Sequence, residues 1–97
     1  MREYEVTAIL KPDLEDEART QLIERLAGWL THGSDEDDKP KLDHWGKMRL
    51  AYPIEKFRDG YYIYFEALLD PSRISEMERD ITYLDDVLRH LVVRKEA

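Results

Sequence analysis

Cysteine is absent from this 97-residue chain, which excludes disulfides, cysteine-based zinc sites, redox pairs and thiol nucleophiles together. Asparagine is absent too, and Gln21 is the sole glutamine; a scarcity of thermolabile amides suits a heat-adapted chain. The four glycines are scattered, so there is no glycine-rich phosphate loop and no GxSxG elbow. No apolar run is long enough to span a bilayer, and the opening Met1-Arg2-Glu3-Tyr4 lacks the apolar stretch of a signal peptide. A cytoplasmic protein with no membrane partner is the expectation. What is present is 42% hydrophobic and 38% charged residues, too apolar for a disordered polymer and too polar for a membrane protein. Such a length makes one domain, residues 1–97, burying roughly 60–70% of the surface its unfolded form exposes.

The net charge is −7, from 15 basic and 22 acidic residues, which argues against indiscriminate nucleic-acid binding. The distribution is uneven. Residues 1–40 carry 5 basic and 11 acidic side chains, residues 41–60 carry 5 and 3, and residues 61–97 carry 5 and 8. Positive charge therefore collects in the centre and, through Arg89, Arg94 and Lys95, near the C-terminal end.

Tyr4 to Leu10 alternates as a strand, with Tyr4, Val6, Ala8 and Leu10 on one face. Lys11-Pro12-Asp13 breaks it. Asp13 is the expected N-cap of a helix, with Asp16 at the capping-box position. Leu14, Ala18, Leu22, Leu26 and Leu30, with Ile23 beside them, form its apolar stripe. Gly33 ends that helix, and residues 34–40 form a solvated acidic loop. A second strand runs from about Leu42 to Tyr52 and is closed by Pro53. Arg58-Asp59-Gly60 reads as a turn, followed by a strand from Tyr61 to Leu69. Asp70-Pro71 starts a second helix, whose buried stripe is Ile74, Met77, Ile81 and Leu84. Val87 to Arg94 is the last strand, and its apolar content fits two registers: Leu91 and Val93 inward, or His90 and Val92 inward. The order β-α-β-β-α-β predicts an α+β, ferredoxin-like fold, a four-stranded antiparallel sheet with two helices on one face. The other sheet face is left open and the second strand lies at an edge.

Chemistry finds little support. Asp35, Glu36, Asp37 and Asp38 lack the alternation, mid-loop glycine and distal glutamate of a calcium loop, and read as solvated charge. His32, His44 and His90 have no metal-ligand spacing. Ser34, Ser72 and Ser75 have turn or cap roles, and an acylphosphatase-type site needs the asparagine this chain lacks. No enzyme activity, cofactor, metal or small-molecule substrate is expected. The middle of the chain is richer: Trp45, Lys47 and Arg49 alternate on one face of strand two, while Tyr62 and Tyr64 share the open face of strand three. Aromatics with basic residues on an open sheet stack RNA bases in recognition domains; tyrosine and tryptophan equally mark protein interfaces.

The run Trp45-Gly46-Lys47-Met48-Arg49-Leu50-Ala51-Tyr52-Pro53-Ile54, followed by Lys56 and Gly60-Tyr61-Tyr62, resembles the bacterial small-subunit ribosomal protein S-six family. The start, Met1-Arg2-x-Tyr4-Glu5, and the end, Val87-Leu88-Arg89-x-Leu91-Val92-Val93-Arg94, are similar to its ends. The acidic, proline-containing stretch Ser34–Lys41 departs from the family's short glycine turn and delays strand two. The resemblance implies the same split fold and a structural protein of the small-subunit platform. It also implies binding to small-subunit (16S) ribosomal RNA together with ribosomal protein S-eighteen. By position it implies RNA contacts from Arg2, Tyr52, Lys56, Arg89 and Arg94, to which Arg58 is added on charge. The partner protein is expected at the exposed edge and open face near Arg49, Tyr62 and Tyr64. Two other readings stay open. In one, Gly60-Tyr61-Tyr62-Ile63-Tyr64-Phe65 resembles the third-strand motif of a stand-alone RNA-recognition domain, although Asp59 stands where that motif has a base. In the other, the chain is a small ferredoxin-like enzyme or a regulatory dimer joined through the open sheet.

Overall fold

Period-two alternation builds the first strand. β1 (Arg2–Leu10) buries Tyr4, Val6, Ala8 and Leu10 and turns Glu3, Glu5, Thr7 and Ile9 the other way, as expected of a strand covered on one side. The computed structural model describes residues 2–30 and 40–95; His32, Gly33 and the acidic residues Asp35 to Asp38 lie outside them. After β1 come α1 (Asp16–Trp29), β2 (Lys41–Ile54), β3 (Phe57–Leu69), α2 (Ile74–Thr82) and β4 (Val87–Arg94), with a 3-10 turn at Pro71–Arg73 leading into α2. The strands pair antiparallel in the order β2-β3-β1-β4. This is the ferredoxin-like fold, with β2 at one edge.

One core lies between helices and sheet. Ile23, Leu26 and Leu30 from the first helical segment and Met77 and Ile81 from α2 meet Val6, Leu10, Ile63 and Phe65. Fully burying one such side chain is worth about 1.5–3 kcal/mol. In β4, Val92 packs against this core while Leu91 and Val93 are exposed on the open face. Pairing decides it: Val92 sits opposite Val6, and Leu91 opposite Thr7.

Four local expectations are corrected. α1 begins at Asp16 with Glu15 as an N-cap that makes no side-chain bond. Pro12-Asp13 forms a turn instead, and Lys11 N–H donates to the Asp86 carbonyl at 2.9 Å, holding the chain off the helix until Leu14 has packed. Ala18 is consequently exposed. The β2–β3 turn falls at Glu55-Lys56, bracketed by the pair Ile54 and Phe57. Arg58-Asp59-Gly60 belongs to β3, and Gly60 is required by a close approach rather than by a turn. A Cβ there would lie 2.3 Å from Ile9 Cγ2 and 3.4 Å from Leu50 Cδ2. Leu50 is buried, but it belongs to this small cluster on the open-face side and not to the main core.

The last correction concerns β2. Its pairing with β3 shifts between His44 and Gly46, and Gly46 has φ +83°. A left-handed glycine with an extra residue is a β-bulge. It throws Trp45 onto the open face, stacked on Tyr64 with centroids 5.3 Å apart and planes at 8°. Lys47 and Arg49 pair instead with Tyr61 and Asp59, on the helix side of the sheet. Trp45, Lys47 and Arg49 therefore do not share a face.

Candidate functional site

The register sorts the open face into rows across the strands. Arg89, Ile9, Tyr62 and Gly46 form one row. Leu91, Thr7, Tyr64 and Asp43 form the next, then Val93, Glu5, Glu66 and Lys41. Beyond them Glu3 faces Leu68. Charge thus differs along the strands: Arg89 stands at one end, whereas Glu3, Glu5 and Glu66 at the other are interleaved with Lys41 and Lys95.

At the Arg89 end the β2–β3 arm extends past β1, whose last pair is Leu10 with Tyr61. Tyr52 lies on this arm, and Arg89 Nη1 donates to its hydroxyl at 2.6 Å. The Arg89 guanidinium carbon also stands 5.5 Å from the centre of the Tyr52 ring, within cation–π range. Ile9 packs under the arm against Gly60, where no side chain intervenes. Lys56 occupies the turn and Arg58 the start of β3, both exposed. Lys56 borders a shallow cleft shared with Lys11, Glu55 and Asp86. Glu55 holds φ +55°, the sign required at the first central residue of a tight II′ hairpin turn. Tyr52, Lys56, Arg58 and Arg89 are thereby gathered at one end of the sheet. A guanidinium fixed by an aromatic, with exposed cations on the adjoining arm, presents charge suited to phosphate oxygens.

Arg2 and Arg94 are elsewhere. Arg94 pairs with Tyr4 and Arg2 with Leu69, at the far end of the sheet and on the helix side. Five strand positions separate the Arg89 and Arg94 pairings along β1, about 17 Å at ~3.4 Å per residue. Of the trio expected to meet a protein partner, Tyr62 and Tyr64 are on the open face, half-buried, whereas Arg49 is on the opposite side. Tyr64 Oη donates to Glu66 Oε1 at 3.2 Å. Partial burial, followed by its bonds to Glu5 and Glu66, pushes the phenol up to about 12, so Tyr64 stays a neutral donor.

The sequence reading overlooked Glu5 and Glu66 as a facing pair, and missed the bulge. A glycine inside an alternating strand is itself the signal for a bulge, and Gly46 is such a residue.

Residues 3–94 match the family model described as "Ribosomal protein S6". The small ribosomal subunit protein bS6 of Desulforudis audaxviator (strain MP104C) is 42% identical over 97 residues, spanning 99% of this chain and 100% of that protein. The bS6 protein of Moorella thermoacetica (strain ATCC 39073 / JCM 9320) is 40% identical over 96 residues, 99% of this chain and 96% of its own. The crystal structure of 30S ribosomal protein S6 from Thermotoga maritima aligns with TM-score 0.78 at 29% identity, covering 97% of this chain and 87% of that one.

Proposed function

Because the chain belongs to the ribosomal protein S6 family, and is thus a structural protein of the small ribosomal subunit rather than an enzyme, we propose that it binds small-subunit ribosomal RNA cooperatively with ribosomal protein S-eighteen. Its place is then the cytoplasmic ribosome. The observation that carries the RNA half is the clasp of Arg89 on Tyr52, beside the exposed Lys56 and Arg58. Arg2 and Arg94 form a separate group that serves a second RNA segment. With a net charge of −7, the protein repels phosphate at long range, so its few cations bind RNA weakly when it is alone. A partner bound to both protein and RNA raises the effective concentration of those contacts.

The test is a calorimetric titration of the RNA with this protein, with S-eighteen, and with the pair. Weak binding alone and tight binding by the pair is the expected result. Arg89→Ala lowers the salt slope of the pair by about one unit, the value for one lost phosphate contact. Tight binding by this chain alone, unchanged by S-eighteen, refutes the cooperative reading.

A further inference from the structure

We infer that the helix-side surface of β2, at Lys47 and Arg49, is a second contact for the RNA backbone, so that the RNA passes round the β2 edge and touches the β2–β3 arm on both sides. The inference rests on the RNA half of the reading above and adds a surface to it. β2 ends the sheet, and of its 14 residues only Leu50 is buried, so the helices leave this strand open on their own side. His44, Lys47 and Arg49 stand there, opposite Ile63, Tyr61 and Asp59, and all three are exposed. Lys47 and Arg49 form no ion pair among the described residues, and Arg49 forms none with the facing Asp59. Where α1 meets this surface, at Tyr61, its charges cancel. Arg19 holds Asp16 at 2.6 Å and lays its guanidinium over the Tyr61 ring at 4.4 Å. The Tyr61 hydroxyl in turn stands 3.3 Å from His44 Nδ1. Lys47 and Arg49 are therefore the uncompensated charges of the strip.

Charge on an edge strand also keeps two sheets from pairing edge to edge, but either sign does that. In a chain of 22 acidic and 15 basic residues, the helix side of this edge from Leu42 to Arg49 carries no acid, which is what a polyanion requires. The spacing suits one as well. Lys47 and Arg49 are two residues apart on a strand, about 7 Å at ~3.4 Å per residue, close to the separation of successive phosphates along an RNA strand. The strip is also continuous with the clasp. Arg49 and Tyr52 are three positions apart on β2, about 10 Å by the same rise. Arg49 faces the helix side, while Tyr52 meets Arg89 on the open side. An RNA strand held at Tyr52 and Arg89 reaches Arg49 by crossing the free edge of β2.

The experiment titrates the pair with S-eighteen against a small-subunit RNA fragment over a range of salt. Lys47→Ala and Arg49→Ala should each lower the salt slope by about one unit, and Arg49→Lys, which keeps the positive charge, should hold the parent slope. The double variant Lys47→Glu with Arg49→Gln keeps a charge on the edge and sets no acid opposite Asp59. It should stay monomeric, melt with the parent and bind S-eighteen unchanged in the absence of RNA, while the RNA affinity of the pair falls at least about tenfold. If Arg89→Ala lowers the slope and both alanines on β2 leave it unchanged, the inference is overturned and the RNA reading stands. If the alanines on β2 lower it and Arg89→Ala does not, the inference stands and the clasp is not an RNA contact. Loss of S-eighteen by the double variant without RNA assigns the strip to a protein contact and overturns the inference, as does a pair that retains no RNA at all.

Discussion

Gly60→Ala isolates the packing that holds the β2–β3 arm over the sheet. The new Cβ would sit 2.3 Å from Ile9 Cγ2, 3.4 Å from Leu50 Cδ2 and 3.7 Å from the Leu10 carbonyl. Only the first is an impossible contact, and Ile9 cannot yield easily, because a β-branched side chain is stiff at χ1. Overpacking of this kind costs about 1–3 kcal/mol. Against it, replacing glycine by alanine within a strand returns roughly 0.5–1 kcal/mol of backbone entropy. The balance is a loss of about 1 kcal/mol, or a fall of roughly 4–8 °C in Tm for a domain of this size. In an Ile9→Ala background the clash disappears while the entropic gain remains, so the same Gly60→Ala change becomes neutral or stabilising by about 0.5–1 kcal/mol. Urea melts of the four proteins in this cycle read both values. An equal destabilisation in both backgrounds would mean that Ile9 is not what demands a glycine. The arm carries Tyr52, so the single variant also loosens the Arg89 clasp, and RNA affinity of the S-eighteen pair should follow the same reversal.

Other outcomes follow from single features. Leu26→Ala and Ile81→Ala, each only 2% exposed, should cost about 2–5 kcal/mol in denaturant melts; losses under about 0.5 kcal/mol at both would contradict the core assignment. Glu55→Gly removes a side chain from φ +55° and should leave stability unchanged or raise it by up to about 1 kcal/mol, measured by thermal melts. Asp70 accepts from Ser72 N–H at 3.0 Å and from Ser72 Oγ at 2.9 Å, bonds that hold its carboxyl below the ordinary 3.8. A lowered folded-state pKa stabilises above the unfolded value and fades as pH falls through the folded one. Asp70→Ala should therefore lower Tm at pH 7, and the gap to the parent should narrow as pH falls below 3.8 and the folded carboxyl takes up its proton; a gap independent of pH would assign the effect to packing.

Element order and the core were legible because period-two and helical stripes are local signals. Val6, Leu26, Ile63 and Ile81 read correctly from spacing, whereas Leu50, expected with them between helices and sheet, is buried on the open-face side. What escaped depended on tertiary contact. Arg58-Asp59-Gly60 has turn composition, yet Gly60 answers to Ile9, some 50 positions away in the chain. Glu55-Lys56 has no turn composition, and only the pairing of Ile54 with Phe57 reveals it. The face of β4 was ambiguous because Leu91 and Val93 are as apolar as Val92, a consequence of their lying on an uncovered surface. The expectation that Arg2, Tyr52, Lys56, Arg89 and Arg94 contact RNA came from family resemblance. Nothing in the spacing of Tyr52 and Arg89, 37 residues apart, announces their bond.

The position of β1 also dictates an order of events during synthesis. It is made first yet is central in the sheet, flanked by the third and fourth strands. Leu10 must wait for Tyr61, and Tyr4 for Arg94. At a translation rate of ~5–20 residues per second, β1 spends several seconds without a strand to pair with. The hairpin of β2 and β3 is the one sheet unit that closes locally, through its two-residue turn, in about 1–10 μs. The arm that carries Tyr52 and Lys56 therefore assembles before the strand that anchors it. Arg89 is supplied last, so its clasp on Tyr52 forms only when the sheet is complete, and a chain halted before β4 lacks it.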